Sequence, residues 1–306
     1  MGTLLTGEPC GIVIVNKHAG CTSFDIVNRL RRLYGTRRIG HTGTLDPMAT
    51  GVLVVLVGRA AKATEYVSSD RKKYRATLKL GLTTDTEDTT GTILSESSVI
   101  PNKEQVISAC REFVGEIMQI PPMYSALKVG GRKLVDLARD GIEIERQARP
   151  ITVFSLTCTP TERPDEYILD VECSGGTYIR TLCADIGKKL GCGGTMASLV
   201  RTEACGFSLE QAATVDELGE MSENERFSRL ISLEELFSEL PSVTLPTFYE
   251  RLFRSGCEIY QKKIGTDHGT DEILKIYGKN CGFFALGKVK DYPDGSAIKS
   301  LKLFSL

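Results

Sequence analysis

The stretch Gly40-His41-Thr42-Gly43-Thr44-Leu45-Asp46-Pro47-Met48-Ala49-Thr50-Gly51 puts one carboxylate and one imidazole among three glycines and a proline. Glycine reaches positive φ at little cost, and proline fixes its own φ and lacks a donor. The sequence therefore predicts a stiff, irregular loop that holds Asp46 beside His41. The threonine hydroxyls can bond to nearby backbone and keep Asp46 in one pose. A carboxylate offered from such a loop can form a covalent intermediate or handle a proton. An Asp-Pro in a glycine-rich stretch is equally the mark of an ordinary turn with a capping acid.

Further clusters follow in order: Lys73-Tyr74-Arg75, Thr83-Thr84-Asp85-Thr86, Pro121-Pro122-Met123-Tyr124-Ser125-Ala126-Leu127-Lys128, Gly176-Thr177-Tyr178-Ile179-Arg180-Thr181 and Leu199-Val200-Arg201. With the Asp46 loop, this series resembles the TruB family of pseudouridine synthases over roughly Gly11 to Phe207. The resemblance implies an α+β pseudouridine synthase fold: a mixed, mainly antiparallel sheet with flanking helices and a central RNA-binding cleft. It also implies a small C-terminal β-rich, PUA-like domain of the kind that contacts RNA in the family. The expected division is 1–240 for the catalytic domain, with a basic thumb-like insertion at about 123–151, and 241–306 for the second domain.

The implied activity is that of a bacterial-type tRNA enzyme, turning uridine into pseudouridine at position 55 in the TΨC loop. By the same resemblance Asp46 is the carboxylate acting at the ribose or the base. Arg180 pairs with it and keeps it ionised, since a nearby cation lowers a carboxylate's pKa. Tyr74 stacks on the extruded uracil, Tyr178 lines the uridine pocket and Leu199 forms its apolar wall. His41 enters the RNA stack that the flipped base vacates. Lys17 is either an electrostatic support for the loop or a solvated lysine at a strand rim. The reaction oxidises nothing and releases no group from the nucleoside, so no cofactor or metal is expected. The expected partner is the T-arm stem-loop of tRNA, with no membrane and no obligate protein partner, the chain acting as a monomer.

The elements that must position these residues are legible in outline. Gly11 to Lys17 reads as a buried strand. Thr22-Ser23 caps a helix with Phe24, Ile26, Val27, Leu30 and Leu33 on its apolar face. Val52 to Val57 is nearly all apolar, as in a strand covered on both sides. Tyr74, Ala76, Leu78 and Leu80 alternate along another strand, which puts Tyr74 on the interior face, where an aromatic is also a plain core residue. Asn102 opens a helix running to Val114. Ile151 to Thr157 and Glu166 to Cys173 form a hairpin around Arg163-Pro164-Asp165. Thr177 to Lys189 is a helix carrying Tyr178 and Arg180 in its first turn. Thr195 to Arg201 is a short element, Ser222 to Leu240 an acidic helix, and Pro241 and Pro246 mark a boundary. The runs Glu272 to Tyr277, Phe283 to Val289 and Leu301 to Leu306 belong to the β-rich tail.

Composition narrows the classes. The 306 residues are 41% hydrophobic and 25% charged, ordinary for a globular chain with a sizeable core. No apolar run approaches the roughly 18–20 residues that span a bilayer, and Met1 to Gly11 lacks the pattern of a secretory leader. Cytoplasmic residence is the expectation. The 10 cysteines show no Cys-x-x-Cys spacing and there are only 3 histidines, which argues against a zinc site. A net charge of −1 gives no support for nucleic-acid binding by itself. Positive charge is nevertheless gathered in Arg29 to Arg38 and in Arg71 to Arg75 around Tyr74, either as an RNA-facing surface or as solvated faces. The Gly40–Gly51 loop lacks the Lys-Ser/Thr ending of a phosphate-binding P-loop. A non-catalytic RNA-folding protein on the same scaffold, or a guide-RNA-dependent relative, are the rival readings.

Overall fold

A computed structural model describes residues 8–67 and 71–304 of the chain. The opening residues before Glu8 and the last two of the Leu301 to Leu306 run lie outside it. One nine-stranded sheet organises the larger part of the chain. Its main path runs Gly11–Lys17, Thr50–Val57, Gly194–Ala204, Arg71–Leu80, Glu166–Ser174, Arg149–Pro160 and Gly115–Gln119. Every neighbouring pair along that path is antiparallel except Thr50–Val57 with Gly194–Ala204, which run parallel. Phe207–Ser208 and Ile39–Thr42 pair with the sheet off the path.

The two ends of the sheet are covered differently, and the sequence shows why. Val52 to Val57 is fully buried because both its faces are packed. On one face Leu53, Val55 and Val57 meet Ile26, Val27 and Leu30 of the Ser23–Leu33 helix, together with Val215 and Leu218. On the other face Val52, Val54 and Leu56 meet Leu233, Phe237, Leu286 and Phe304. At the other end the strands alternate. Tyr74, Ala76, Leu78 and Leu80 pack with Leu169, Val171, Leu182 and Ile186, while the opposite face of Arg71–Leu80 carries charged residues.

A second sheet of five strands occupies the C-terminal part, ordered Ser242–Leu245, Ile273–Gly278, Gly282–Tyr292, Gly295–Leu303 and Ile259–Tyr260. It has a core of its own around Phe253, Phe284, Ile276 and Val289. Leu286 and Phe304 join it to the first sheet through the shared cluster described above.

Several elements differ from the sequence reading. Ser222 to Leu240 is not one helix but two short ones, Glu223–Ser228 and Leu233–Leu236. Between them Ile231 exchanges backbone hydrogen bonds with Ile12, and Ser232 caps a fresh start. Phe24 does not join the apolar face of its helix: it is 58% exposed, with Arg31 over its ring. The helix from Asn102 stops at Arg111, leaving Val114 exposed. Thr195 to Arg201 is the middle of an 11-residue strand at the centre of the sheet. Among the described residues no helix is long and apolar enough to cross a membrane.

Candidate active site

Asp46 hangs from the connection between the Ile39–Thr42 and Thr50–Val57 strands, and the bracing of that connection comes from outside it. Ser23 Oγ accepts from the Leu45 amide at 2.9 Å and donates to the Leu45 carbonyl at 3.2 Å. Lys17 donates to the carbonyls of Ala49 at 2.6 Å, Pro47 at 3.2 Å and His18 at 3.1 Å. The lysine is therefore no solvated rim residue: it is fully buried at the end of its strand. Arg201, also fully buried, donates to the Val52 carbonyl at 2.7 Å and the Gly43 carbonyl at 3.0 Å. The loop threonines do not hold Asp46. Gly51, at φ +100°, sits so close to Arg201 that a Cβ would fall 2.2 Å from its carbonyl oxygen. Only glycine satisfies both conditions there.

The carboxylate meets a guanidinium that the Ile179–Leu190 helix presents from its first turn. Arg180 Nε lies 2.9 Å from Asp46 Oδ2 and Nη2 lies 3.2 Å from Oδ1, a two-pronged grip. The remaining donors of Arg180 are used as well, on the Tyr124 carbonyl at 2.8 Å and the Thr86 carbonyl at 3.0 Å. Asp88 stands 4.0 Å from Nη1. Arg180 is almost wholly buried, whereas the Asp46 side chain keeps about a third of its surface open. A charged group fixed this thoroughly orients its partner without reorganising during a reaction.

Asp46, Tyr74, Tyr178, Arg180 and Leu199 line one cavity of about 330 Å³. Its floor is the sheet, through Tyr74 and the adjacent Leu199, which pairs across to Ala76. Tyr178 is held by Gln119, whose Oε1 accepts from the Tyr178 amide at 2.8 Å and whose Nε2 donates to its carbonyl at 3.1 Å. Ser125, Ala126 and Leu127 close another side, at the start of a segment with its own small core of Met123, Leu134 and Leu137. His41 is not among the cavity walls. It lies in the Ile39–Thr42 strand, paired with Val55, rather than in the irregular loop, and its buried Nδ1 has no partner among the described residues. Burial, with Arg201 adding to it, lowers the His41 pKa, so its ring is neutral at pH 7.

The electrostatic balance differs from the expectation for Asp46. Its carboxyl is pushed above the usual carboxylate value, because burial outweighs the opposing influence of Arg180 and Asp88 adds to the rise. Burial likewise raises the Tyr74 phenol, against a lowering from Arg201. Two residues with direct parts in the site escaped the sequence reading. Gln119 ends an edge strand and gives no local signal. Lys72 lines the cavity, and period-2 parity with Tyr74 was the clue, since residues two apart in a strand share a face.

Comparisons with known proteins give the family of the chain. Residues 31–179 match the TruB family pseudouridylate synthase (N terminal domain), and residues 180–240 match the tRNA pseudouridylate synthase B C-terminal domain. A tRNA pseudouridine synthase B of Clostridium kluyveri is 40% identical over 295 residues, covering 96% of this chain and 99% of that protein. One from Syntrophotalea carbinolica is 44% identical over 236 residues, 77% of each. In a Cbf5-Nop10-Gar1 complex, a chain 23% identical superposes with a TM-score of 0.69, over 96% of this chain and 85% of its own, and so shares the fold. The cavity-bound acid, its arginine and the sheet that carries them thus sit in a chain that belongs to the TruB family of pseudouridine synthases.

Proposed function

We propose that this chain isomerises uridine to pseudouridine at position 55 in the TΨC loop of tRNA, working alone in the cytoplasm with Asp46 as its essential carboxylate. The observation that carries the reading is the Arg180 fork on Asp46 inside a cavity shared with Tyr74, Tyr178 and Leu199. The reaction breaks the N1–C1′ bond, turns the base and joins C5 to C1′; N1 gains a proton and C5 loses one to solvent. Asp46 supplies the anionic group that this rearrangement needs, and Arg180 fixes its direction.

The base must leave the RNA stack to reach Asp46, at a cost of a few kcal/mol. Tyr74 offers a face for the extruded uracil, Tyr178 a second wall and Leu199 a dry contact, which strengthens the charge interactions nearby. His41, neutral and outside the cavity, takes the place of the departed base in the RNA. Residues 123–151, with the Lys128–Val129 and Arg132–Lys133 hairpin and the Leu134–Arg139 helix, close over the stem-loop as a thumb. In this reading 1–240 is the catalytic unit, and 241–306 is a PUA-like appendage.

A T-arm stem-loop tritiated at C5 of uridine tests the proposal. The protein should release tritium from one loop uridine only, and Asp46→Asn should bind the RNA yet release none. Turnover by Asp46→Asn at the parent rate would remove Asp46 from the chemistry.

A further inference from the structure

Outside the roles assigned above, the cavity contains one charge with no counterpart among the described residues. The Arg71–Leu80 strand carries five basic residues, and its alternation divides them between two faces. Four point away from the cavity, and each is matched by an acid on a neighbouring strand or its turn. Arg71 meets Glu172 at 3.0 Å, and Lys73 meets Glu203, Arg75 meets Asp170 and Lys79 meets Asp165, each at 2.8 Å. The fifth, Lys72, faces the cavity beside Tyr74.

Among the described residues no hydrogen bond or ion pair reaches the Lys72 ammonium. Its titratable neighbours are Arg201, which is another cation, and the thiols of Cys173 and Cys205. Its Nζ rests beside Gly43, 3.2 Å from where a Cβ would stand, with Arg201 Nη1 at 3.5 Å from the same point. The absence of a side chain at Gly43 leaves the ammonium room at the mouth of the Asp46 loop. Arg201 cannot supply the missing acceptor, and it is itself held through donors to the Val52 and Gly43 carbonyls. Asp46, the cavity's own carboxylate, is gripped by Arg180.

A half-buried cation with a second cation close by and no acid beside it is costly unless an anion arrives with the ligand. A flipped nucleotide brings anions on both sides of its ribose. We propose that Lys72 is the phosphate anchor of this pocket, its ammonium holding one of the two phosphodiesters that flank the flipped uridine. The proposal rests on the functional reading above. It assigns Lys72 to holding the ribose-phosphate backbone in place over Asp46, with no part in bond making. A phosphate grip of this kind fixes register and carries no base information.

The test compares wild type, Lys72→Gln and Lys72→Arg on the T-arm stem-loop across a salt series. Losing one charge-assisted contact should raise Kd and KM for Lys72→Gln about tenfold, with kcat much less affected. The slope of log Kd against log salt should fall by about 0.7–1. Lys72→Arg should restore most of both. A second arm gives wild type a stem-loop with one neutral methylphosphonate, 5′ and then 3′ of the target uridine, with the sugar preceding that linkage 2′-deoxy in probe and control alike. One of the two should weaken wild type about as much as Lys72→Gln does, and should do no further harm to Lys72→Gln.

Wild type indifferent to both methylphosphonates overturns the proposal, and so does Lys72→Gln with an undiminished salt slope. If Lys72→Gln fails to fold, the methylphosphonate arm on wild type and Lys72→Arg decides alone. Wild type that binds with the expected Lys72-dependent slope but forms no pseudouridine would sink the functional reading and leave the anchor standing.

Discussion

The two faces of the Arg71–Leu80 strand carry similar residues and do opposite things with them. Outward, Arg71, Lys73, Arg75 and Lys79 are each neutralised by an acid on an adjacent strand or turn. Inward, Lys72 has no acid among the described residues, and Tyr74 is almost fully buried at the floor of the cavity. A basic run in the sequence is therefore not by itself an RNA-facing surface. What distinguishes a binding charge from a structural one is whether the fold has already supplied its partner, an acid or a set of backbone carbonyls. The lesson extends to the site's other cations: Arg180 is committed to Asp46 and two carbonyls, and Lys17 to three carbonyls.

The largest expected effect lies on the cavity side. Arg180→Met leaves Asp46 without its orienting fork, and single-turnover rates should fall by about 10²–10³-fold, the usual loss when one preorganised electrostatic partner is removed. The pH profile should move too. In the proposed role Asp46 acts as the carboxylate anion, so the rate should fall as pH drops through its pKa. In wild type that acid limb should lie higher than for an ordinary aspartate, because burial prevails over Arg180. Removing Arg180 deletes the main lowering influence, so the limb should shift to still higher pH. An acid limb at the same pH in both proteins would show that Asp46 does not set it.

Next comes the contrast between two lysines that border the same loop. Lys17 and Lys72 both have lowered pKa values with burial as the chief cause, yet only Lys17 has partners among the described residues. Lys17→Met removes the donor to three carbonyls, two of them in the Asp46 loop, and should cost roughly 2–4 kcal/mol in urea denaturation. Lys72→Gln should leave the denaturation midpoint unchanged or slightly raised, because it breaks no internal contact and removes a charge that burial and Arg201 disfavour. Equal losses for the two variants would erase the distinction between a structural and a binding lysine.

The same contrast marks how far the sequence could be read. The Asp46 loop was legible because its glycines, proline and acid are adjacent in the chain. The Val52 to Val57 strand was legible because burial on both faces leaves no polar alternation. Lys17 was not, since a lysine at a strand end looks solvated until the carbonyls of Pro47 and Ala49 arrive from 30 and 32 residues further on. Nor was the upward shift of Asp46, which comes from burial in a cavity that Tyr74, Tyr178 and Leu199 help to line from separate segments. The long helix expected over Ser222 to Leu240 failed for a similar reason. Its spacing fits a helix, but the Ile12–Ile231 backbone pairing interrupts it. Phe24 shares its helix's apolar spacing yet stays exposed, which periodicity cannot distinguish from core.

The smallest effect belongs to the outward face, and it is the sharpest control for Lys72. Lys73 and Glu203 are both substantially exposed, and so are Arg75 and Asp170. Exposed pairs of this kind contribute little, because solvent screens them and long side chains lose freedom in forming them. Lys73→Gln and Arg75→Gln should each leave the denaturation midpoint within error and the salt slope of T-arm binding where it was. Their cations are already balanced by acids on neighbouring strands, so removing one changes no phosphate contact. If either variant lowered the slope as Lys72→Gln is expected to, the RNA would be touching both faces of the strand. The division of labour between those faces would then be lost, and the missing counter-ion would no longer single out Lys72.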